Sequence, residues 1–124
     1  MHNLVVDDNK FDQNVIAICA KKLSFSVDTV GSGVDMLAYC ERNMPNCILL
    51  DWEMGDTNGI ELLKALRQME GGDSVNVIIC TSNSHPSFAG HAYAQGADGF
   101  ITKPITMEKL SSAIGNLNQT LRVV

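Results

Sequence analysis

Short apolar runs alternate along this chain with stretches whose apolar residues return every three or four positions. Leu4-Val5-Val6, Cys47-Ile48-Leu49-Leu50, Val75 to Cys80 and Phe100-Ile101-Thr102 read as strands, and the continuous ones as strands buried on both faces. Ser26-Val27-Asp28-Thr29-Val30 alternates polar and apolar instead, as a half-exposed or edge strand would.

The intervening stretches predict five helices. Phe11, Val15, Ile18, Cys19 and Lys22 define the inward stripe of the first, with Lys22 snorkelling at its end. Ser32 with Asp35 forms a capping box that opens the second, which carries Val34, Leu37, Ala38 and Tyr39 and gives way to Pro45. Asn58 with Glu61 opens the third, with Ile60, Leu62, Leu63, Leu66 and Met69 inward, and Gly71-Gly72-Asp73-Ser74 breaks it. The fourth, about Pro86 to Ala94, is weak: Gly90 lies inside it, and Phe88 and Tyr93 are its large apolar residues. Thr106 caps the fifth, with Met107, Leu110, Ala113, Ile114, Leu117 and Leu121 on one stripe. Strand followed by helix, five times, predicts an α/β fold: a doubly wound parallel sheet with helices on both faces and right-handed crossovers. No linker or repeat interrupts the pattern, so residues 1–124 are expected to form one domain.

Composition narrows the partners. Net charge is −5 and the estimated pI 4.9, against the basic surface a nucleic-acid partner requires. No apolar run approaches the roughly 18 residues of a membrane span, and Met1 to Leu4 do not begin a signal peptide, so no membrane association is expected. Cys19, Cys40, Cys47 and Cys80 form no C-x-x-C pair and sit in apolar contexts, as buried thiols in a reducing cytoplasm do. His2, His85 and His91 have no metal-ligand spacing and are read as surface residues.

Chemistry gathers just past the strands. The first ends at Asp7 and Asp8, the third at Asp51, the fourth at Thr81 and the fifth at Lys103. A lone Asp there commonly does no more than start a turn. In a parallel sheet, however, all these ends share one edge, where open α/β sheets bind ligands. Three converging carboxylates need raised pKa values or a bound cation, and hard oxygen ligands with room for water suit Mg²⁺. A lysine and a hydroxyl beside them suit a phosphoryl group, and the chemistry indicated is attack on phosphorus by a carboxylate.

Val6-Asp7-Asp8-Asn9, Leu50-Asp51-Trp52-Glu53-Met54, Asn58-Gly59, Thr81-Ser82 and Lys103-Pro104 together make the sequence resemble the response-regulator receiver domain of two-component signalling, and the chemotaxis receiver in particular, from about Leu4 to Leu121. The resemblance implies a flavodoxin-like sheet of strand order 2-1-3-4-5, an order of which a chemotaxis receiver is a standard example. It implies that Asp51 is the phosphoacceptor and that Asp7, Asp8, Asp51 and the Glu53 backbone carbonyl hold Mg²⁺, or Mn²⁺ in its place. Thr81 would hydrogen-bond the phosphoryl group and Lys103 would pair with it. Lys103-Pro104 would be cis, Thr81 and Phe100 would form the switch, and the Glu53 and Asn83 side chains would flank the phosphoryl path. Such a protein is not a conventional enzyme, but it catalyses its own aspartyl phosphorylation and dephosphorylation. Its implied partners are a histidine kinase or phosphotransfer protein and a downstream target on the face of the fourth helix, fifth strand and fifth helix. A cytoplasmic monomer is implied, with phosphorylation-dependent dimerisation as the variant. Gly55 replaces the family's usual Pro, which predicts a looser loop; Asn58 replaces a frequent Asp; and Phe100 lacks the hydroxyl of a Tyr.

Three other readings compete. A haloacid-dehalogenase-type phosphatase also uses an aspartyl phosphate, but carries its nucleophile first and its acidic metal pair last, the reverse of the order here. A flavin carrier of similar topology needs a Ser/Thr/Gly-rich phosphate loop where Asp7-Asp8-Asn9-Lys10 stands. A phosphorylation-independent interaction module on the same fold remains the alternative.

Overall fold

The computed structural model describes residues 1–54, 59–83 and 85–123, Pro86 and residues 118–123 by backbone alone. The expectations placed on Gly55, on Asn58 as a cap and on the Leu121 side chain lie outside the described residues. The elements are β1 (His2–Val6), α1 (Lys10–Lys22), β2 (Ser26–Val30), α2 (Gly33–Arg42), β3 (Cys47–Asp51), α3 (Gly59–Gln68), β4 (Asn76–Thr81), α4 (Pro86–Ala94), β5 (Gly99–Thr102) and α5 (Met107–Val123), with a single 3-10 turn at Gly72–Ser74. All strand pairs are parallel and the order is β2-β1-β3-β4-β5, as the alternating pattern and the family resemblance implied.

Alternate residues of each inner strand feed opposite cores. Leu4, Val6, Ile48, Leu50, Val77 and Ile79 pack with Met36 and Cys40 of α2, Leu63 and Leu66 of α3 and Ala92 of α4. Val5, Leu49, Ile78, Cys80 and Ile101 pack with Ile16, Cys19 and Ala20 of α1 and Leu110, Ile114 and Leu117 of α5. The alternating strand β2 is the half-exposed edge its pattern predicted. Ser32 Oγ accepts from Asp35 N–H at 3.1 Å and Thr106 Oγ1 from Lys109 N–H at 3.2 Å, so both predicted caps form. All four cysteines are buried and free. His85 and His91 are exposed, as expected, and His85 caps α4 by accepting from Ser87 N–H; His2 is half-buried and hydrogen-bonds Ser26 and Tyr39.

Two helix faces differ from the sequence expectation. Phe11 and Ile18 of α1 are 74% and 54% exposed, and the buried residues are Gln13, Ile16, Ala17, Cys19 and Ala20. Small residues let α1 lie close on the sheet, and Gln13 turns inward because two strand-end carbonyls need a donor. In α2, Val34 is 78% exposed, while Met36 and Cys40, four residues apart, carry the inner face. Ile16 and Met36, both fully buried, are the large residues that face the core from these two helices.

This face assignment has a direct test. Ile16→Ala should cost about 2–4 kcal/mol of unfolding free energy in urea, and Ile18→Ala less than about 1 kcal/mol. Equal costs would return Ile18 to the buried face.

Candidate functional site

The chain leaves β1 toward β2 on one side and β3 toward β4 on the other, so the carboxyl ends of β1 and β3 border the crevice where the strand order reverses. Val6 is in register with Leu50, which sets Asp7 beside Asp51. Oxygens of Asp7, Asp8 and Asp51 lie within 4.8 Å of one another. Asp7 is fully buried, Asp51 is 4% exposed, and Asp8 opens to solvent. Local bonds aim them: Asp7 Oδ1 accepts from Asn9 N–H at 2.9 Å, and Asp51 Oδ1 from Glu53 N–H at 3.0 Å. Gln13 Nε2 donates to the carbonyls of Asp7 and Val30 at 2.6 and 3.0 Å, closing the top of β1 and β2.

Lys103 arrives from the end of β5. Its Nζ lies 3.1 Å from Asp7 Oδ2, 3.0 Å from Asp12 Oδ2 and 3.4 Å from Asp51 Oδ1. The backbone around it is fixed on both sides. Lys103 N–H donates to Thr81 O at 2.7 Å, and Lys109 Nζ donates to the carbonyls of Thr102 and Pro104 at 2.9 and 3.1 Å. The Lys103-Pro104 peptide is cis. Burial alone would pull the Lys103 ammonium down, but hydrogen bonds to Asp12 and Asp7 and the charge of Asp51 hold it well above the usual lysine value. Burial pushes the Asp51 carboxyl up to about 6; Asp7 adds to this, while the Glu53 N–H and Lys103 oppose it.

A second cluster faces the first. Thr81, fully buried at the end of β4, donates its hydroxyl to Glu53 Oε1 and accepts from Asn83 N–H at 3.1 Å. Ser82 N–H donates to the same Glu53 oxygen at 2.7 Å, and Ser82 Oγ lies 2.9 and 2.7 Å from the two carboxylate oxygens. Partial burial pushes the Glu53 carboxyl up, but the bonds from Thr81 and Ser82 outweigh it and leave it below the usual carboxylate value. The Asn83 side chain accepts from His85 N–H at 3.0 Å, at the start of α4. Trp52 meets Phe88 edge-on at 6.3 Å between ring centroids, and Phe88 meets Phe100 at 6.1 Å, so an aromatic line runs from the Asp51 loop to β5. Gly59 makes room for it: a Cβ there would come within 2.7 Å of the Trp52 ring.

Three hard carboxylate oxygens converging beside solvent, two of them on buried acids, match Mg²⁺, which prefers few carboxylates and keeps waters. Sequence reading missed Asp12, Gln13, Ser82 and Phe88. Asp12 carried a signal as an acid in the first turn of the helix that starts just past Asp7 and Asp8. Gln13 carried no signal beyond lying out of the predicted apolar stripe.

An acidic crevice with a single lysine, at the reversal point of a 2-1-3-4-5 sheet, defines a receiver-type site. The model of the response regulator receiver domain matches residues 4–115, and the chain belongs to that family. The chemotaxis protein CheY of Halobacterium salinarum is 27% identical over 114 residues, covering 92% of this chain and 93% of its own. A two-component response regulator of Oryza sativa subsp. japonica is 32% identical over 114 residues, covering 90% of this chain and 67% of its own. A hybrid signal transduction histidine kinase of Dictyostelium discoideum is 28% identical, and this chain spans 10% of its length; for a phosphate-regulon transcriptional regulator of Rhizobium meliloti the share is 48%. Among solved structures, the chemotaxis response regulator CheY4 of Vibrio cholerae superposes with a TM-score of 0.86 over 94% of this chain and 97% of its own; at 23% identity this likeness concerns the fold. No helix among the described residues is long and apolar enough to cross a membrane.

The raised Asp51 value predicts a pH-dependent stability. An acid whose folded pKa lies above its unfolded one costs nothing while both states are protonated, and weakens the native state as pH rises through about 6. In metal-free buffer, Asp51→Asn should match the wild type near pH 3 and exceed it by about 2 kcal/mol above pH 7. Mg²⁺ should shrink that gap. A gap independent of pH, measured by urea denaturation, would contradict the assignment.

Proposed function

We propose that this chain is a phosphoacceptor switch of a two-component system, with Asp51 the residue that accepts the phosphoryl group. The observation that carries this reading is the convergence of the buried Asp51 carboxylate with Asp7 and Asp8, 3.4 Å from the Lys103 ammonium. An Asp51 oxygen attacks the phosphorus of a phosphohistidine or an acyl phosphate. The phosphorus–nitrogen or phosphorus–oxygen bond to the donor breaks, the donor keeps that electron pair, and an aspartyl phosphate forms. Water later attacks the same phosphorus and restores the carboxylate. Asp7, Asp8, Asp51 and the Glu53 carbonyl would hold Mg²⁺ or Mn²⁺, which supplies positive charge against the incoming anion.

The hydroxyl of Thr81 and the donors of Ser82 now serve Glu53. In this reading a phosphoryl oxygen draws the Thr81 hydroxyl away, and the aromatic line through Phe88 to Phe100 carries the change to the face of α4, β5 and α5, where a downstream protein binds. The donor is a histidine kinase or a phosphotransfer protein, and the protein works in the cytoplasm. One observation favours a phosphorylation-independent module instead: Glu53 already sets an anion against Thr81 and Ser82.

Intact-mass measurement with acetyl phosphate decides between them. Wild type should gain one phosphoryl group with Mg²⁺ present and none without it, and Asp51→Ala should gain none. An unmodified wild type would favour the module, and equal modification of Asp51→Ala would overturn the acceptor.

Glu53 gives a second expected outcome. At about 6 Å its charge repels an anionic donor by roughly 0.7 kcal/mol in water and roughly 3 kcal/mol at an effective dielectric of 20. Glu53→Lys should therefore speed phosphorylation by acetyl phosphate a few-fold to about tenfold, and Glu53→Gln less. Salt should remove the Coulombic share and leave the share due to the freed Thr81 and Ser82 donors. Equal rates for all three proteins at low salt would leave the Glu53 carboxylate without a part in the reaction.

A further inference from the structure

An ammonium has three N–H bonds, and three carboxylates surround that of Lys103. Asp12 Oδ2 is nearest at 3.0 Å, Asp7 Oδ2 follows at 3.1 Å, and Asp51 Oδ1 is farthest at 3.4 Å. The side chain is 15% exposed. Nζ hydrogen-bonds Asp12 and Asp7 but only approaches Asp51, so it closes on a phosphoryl oxygen carried by Asp51 by loosening one of those two bonds. Asp7 is fully buried and belongs to the converging acidic trio, so its loss would strand a charge. Asp12 stands outside that trio, on the first turn of α1, with its side chain 34% exposed. Water can replace the lysine there.

The geometry points to Asp12 as a positioning residue that competes with the phosphoryl group for Lys103. Resting on Asp51 as the acceptor, this adds a control on how readily the phosphorylated state forms. With Asp12 in place, the lysine is drawn toward α1. Without that carboxylate, its third N–H is free for Asp51 or for what Asp51 carries. Asp12 otherwise serves its helix through its backbone, whose N–H is capped by Asn9 Oδ1 at 3.0 Å, so Asp12→Asn changes the charge and keeps the cap.

Beryllofluoride with Mg²⁺ is the probe, titrated into the full chain and followed by Trp52 emission and the Ser82 amide shift. Asp12→Asn should bind it roughly three- to tenfold tighter than wild type. The gain should persist at about 0.5 M salt, where the field of an exposed charge is screened within a few ångströms but a direct contact is not. Asp12→Glu keeps a carboxylate within reach and should return to near the wild-type affinity. Asp35→Asn, which removes the first-turn acid of α2, should leave the affinity unchanged. Equal affinity of wild type and Asp12→Asn, a gain that salt abolishes, or weaker binding by Asp12→Asn would each overturn the competition. Wild type that binds no beryllofluoride at all would overturn Asp51 as acceptor, and the competition with it.

Discussion

Asp7, Asp8, Asp12 and Asp51 share one lysine at the ends of β1, β3 and β5, and that imbalance of charge is what the rest of the site is built around. Three of the four lie against Lys103, within 3.4 Å of its Nζ, and one of those three is fully buried. Such crowding is tolerable because donors are spent on it: the amides of Asn9 and Glu53, and the lysine itself. It is incomplete: burial, with Asp7 adding to it, still pushes Asp51 up to about 6. In the proposed function a cation would neutralise this charge before a phosphoryl anion enters.

The fold makes this possible with little local machinery. Parallel strands deliver their terminal residues to one edge, and buried runs such as Cys47 to Leu50 fix β3 so firmly that Asp51 has little freedom in where it emerges. Around this rigid base stand weaker parts. Glu53 closes on Thr81 and Ser82 through bonds that an oxyanion satisfies equally well, and α4 presents Phe88 between Trp52 and Phe100. The stable elements hold the acid, and in the proposed function the bonds of Glu53 and the aromatic line would provide the means of response.

The strands and their ends were legible because a buried parallel strand writes itself as an unbroken apolar run, and the residue after it is where chemistry collects. Asp7, Asp8, Asp51, Thr81 and Lys103 were all visible in that way. Helix faces were less legible. On α1 the expected stripe held at Cys19 but not at Phe11 and Ile18; Ile16, Ala17 and Ala20 face the sheet instead. Gln13 is buried to serve two carbonyls, and such debts exist only once the strands are paired. The bonds of Asp12 and Ser82 likewise depend on long-range placement: Asp12 meets a lysine 91 positions away, and Ser82 meets Glu53 29 positions away.

Mg²⁺ binding followed by calorimetry at neutral pH measures this imbalance of charge. A single ion should bind the wild type, and replacing Asp8 by Asn should weaken it about tenfold or more while leaving the fold intact by circular dichroism. Wild type that takes up no Mg²⁺, or an Asp8→Asn protein that binds it as tightly, would contradict the claim: the acids would then be balanced by Lys103 and local hydrogen bonds alone, with no charge left for a cation to neutralise.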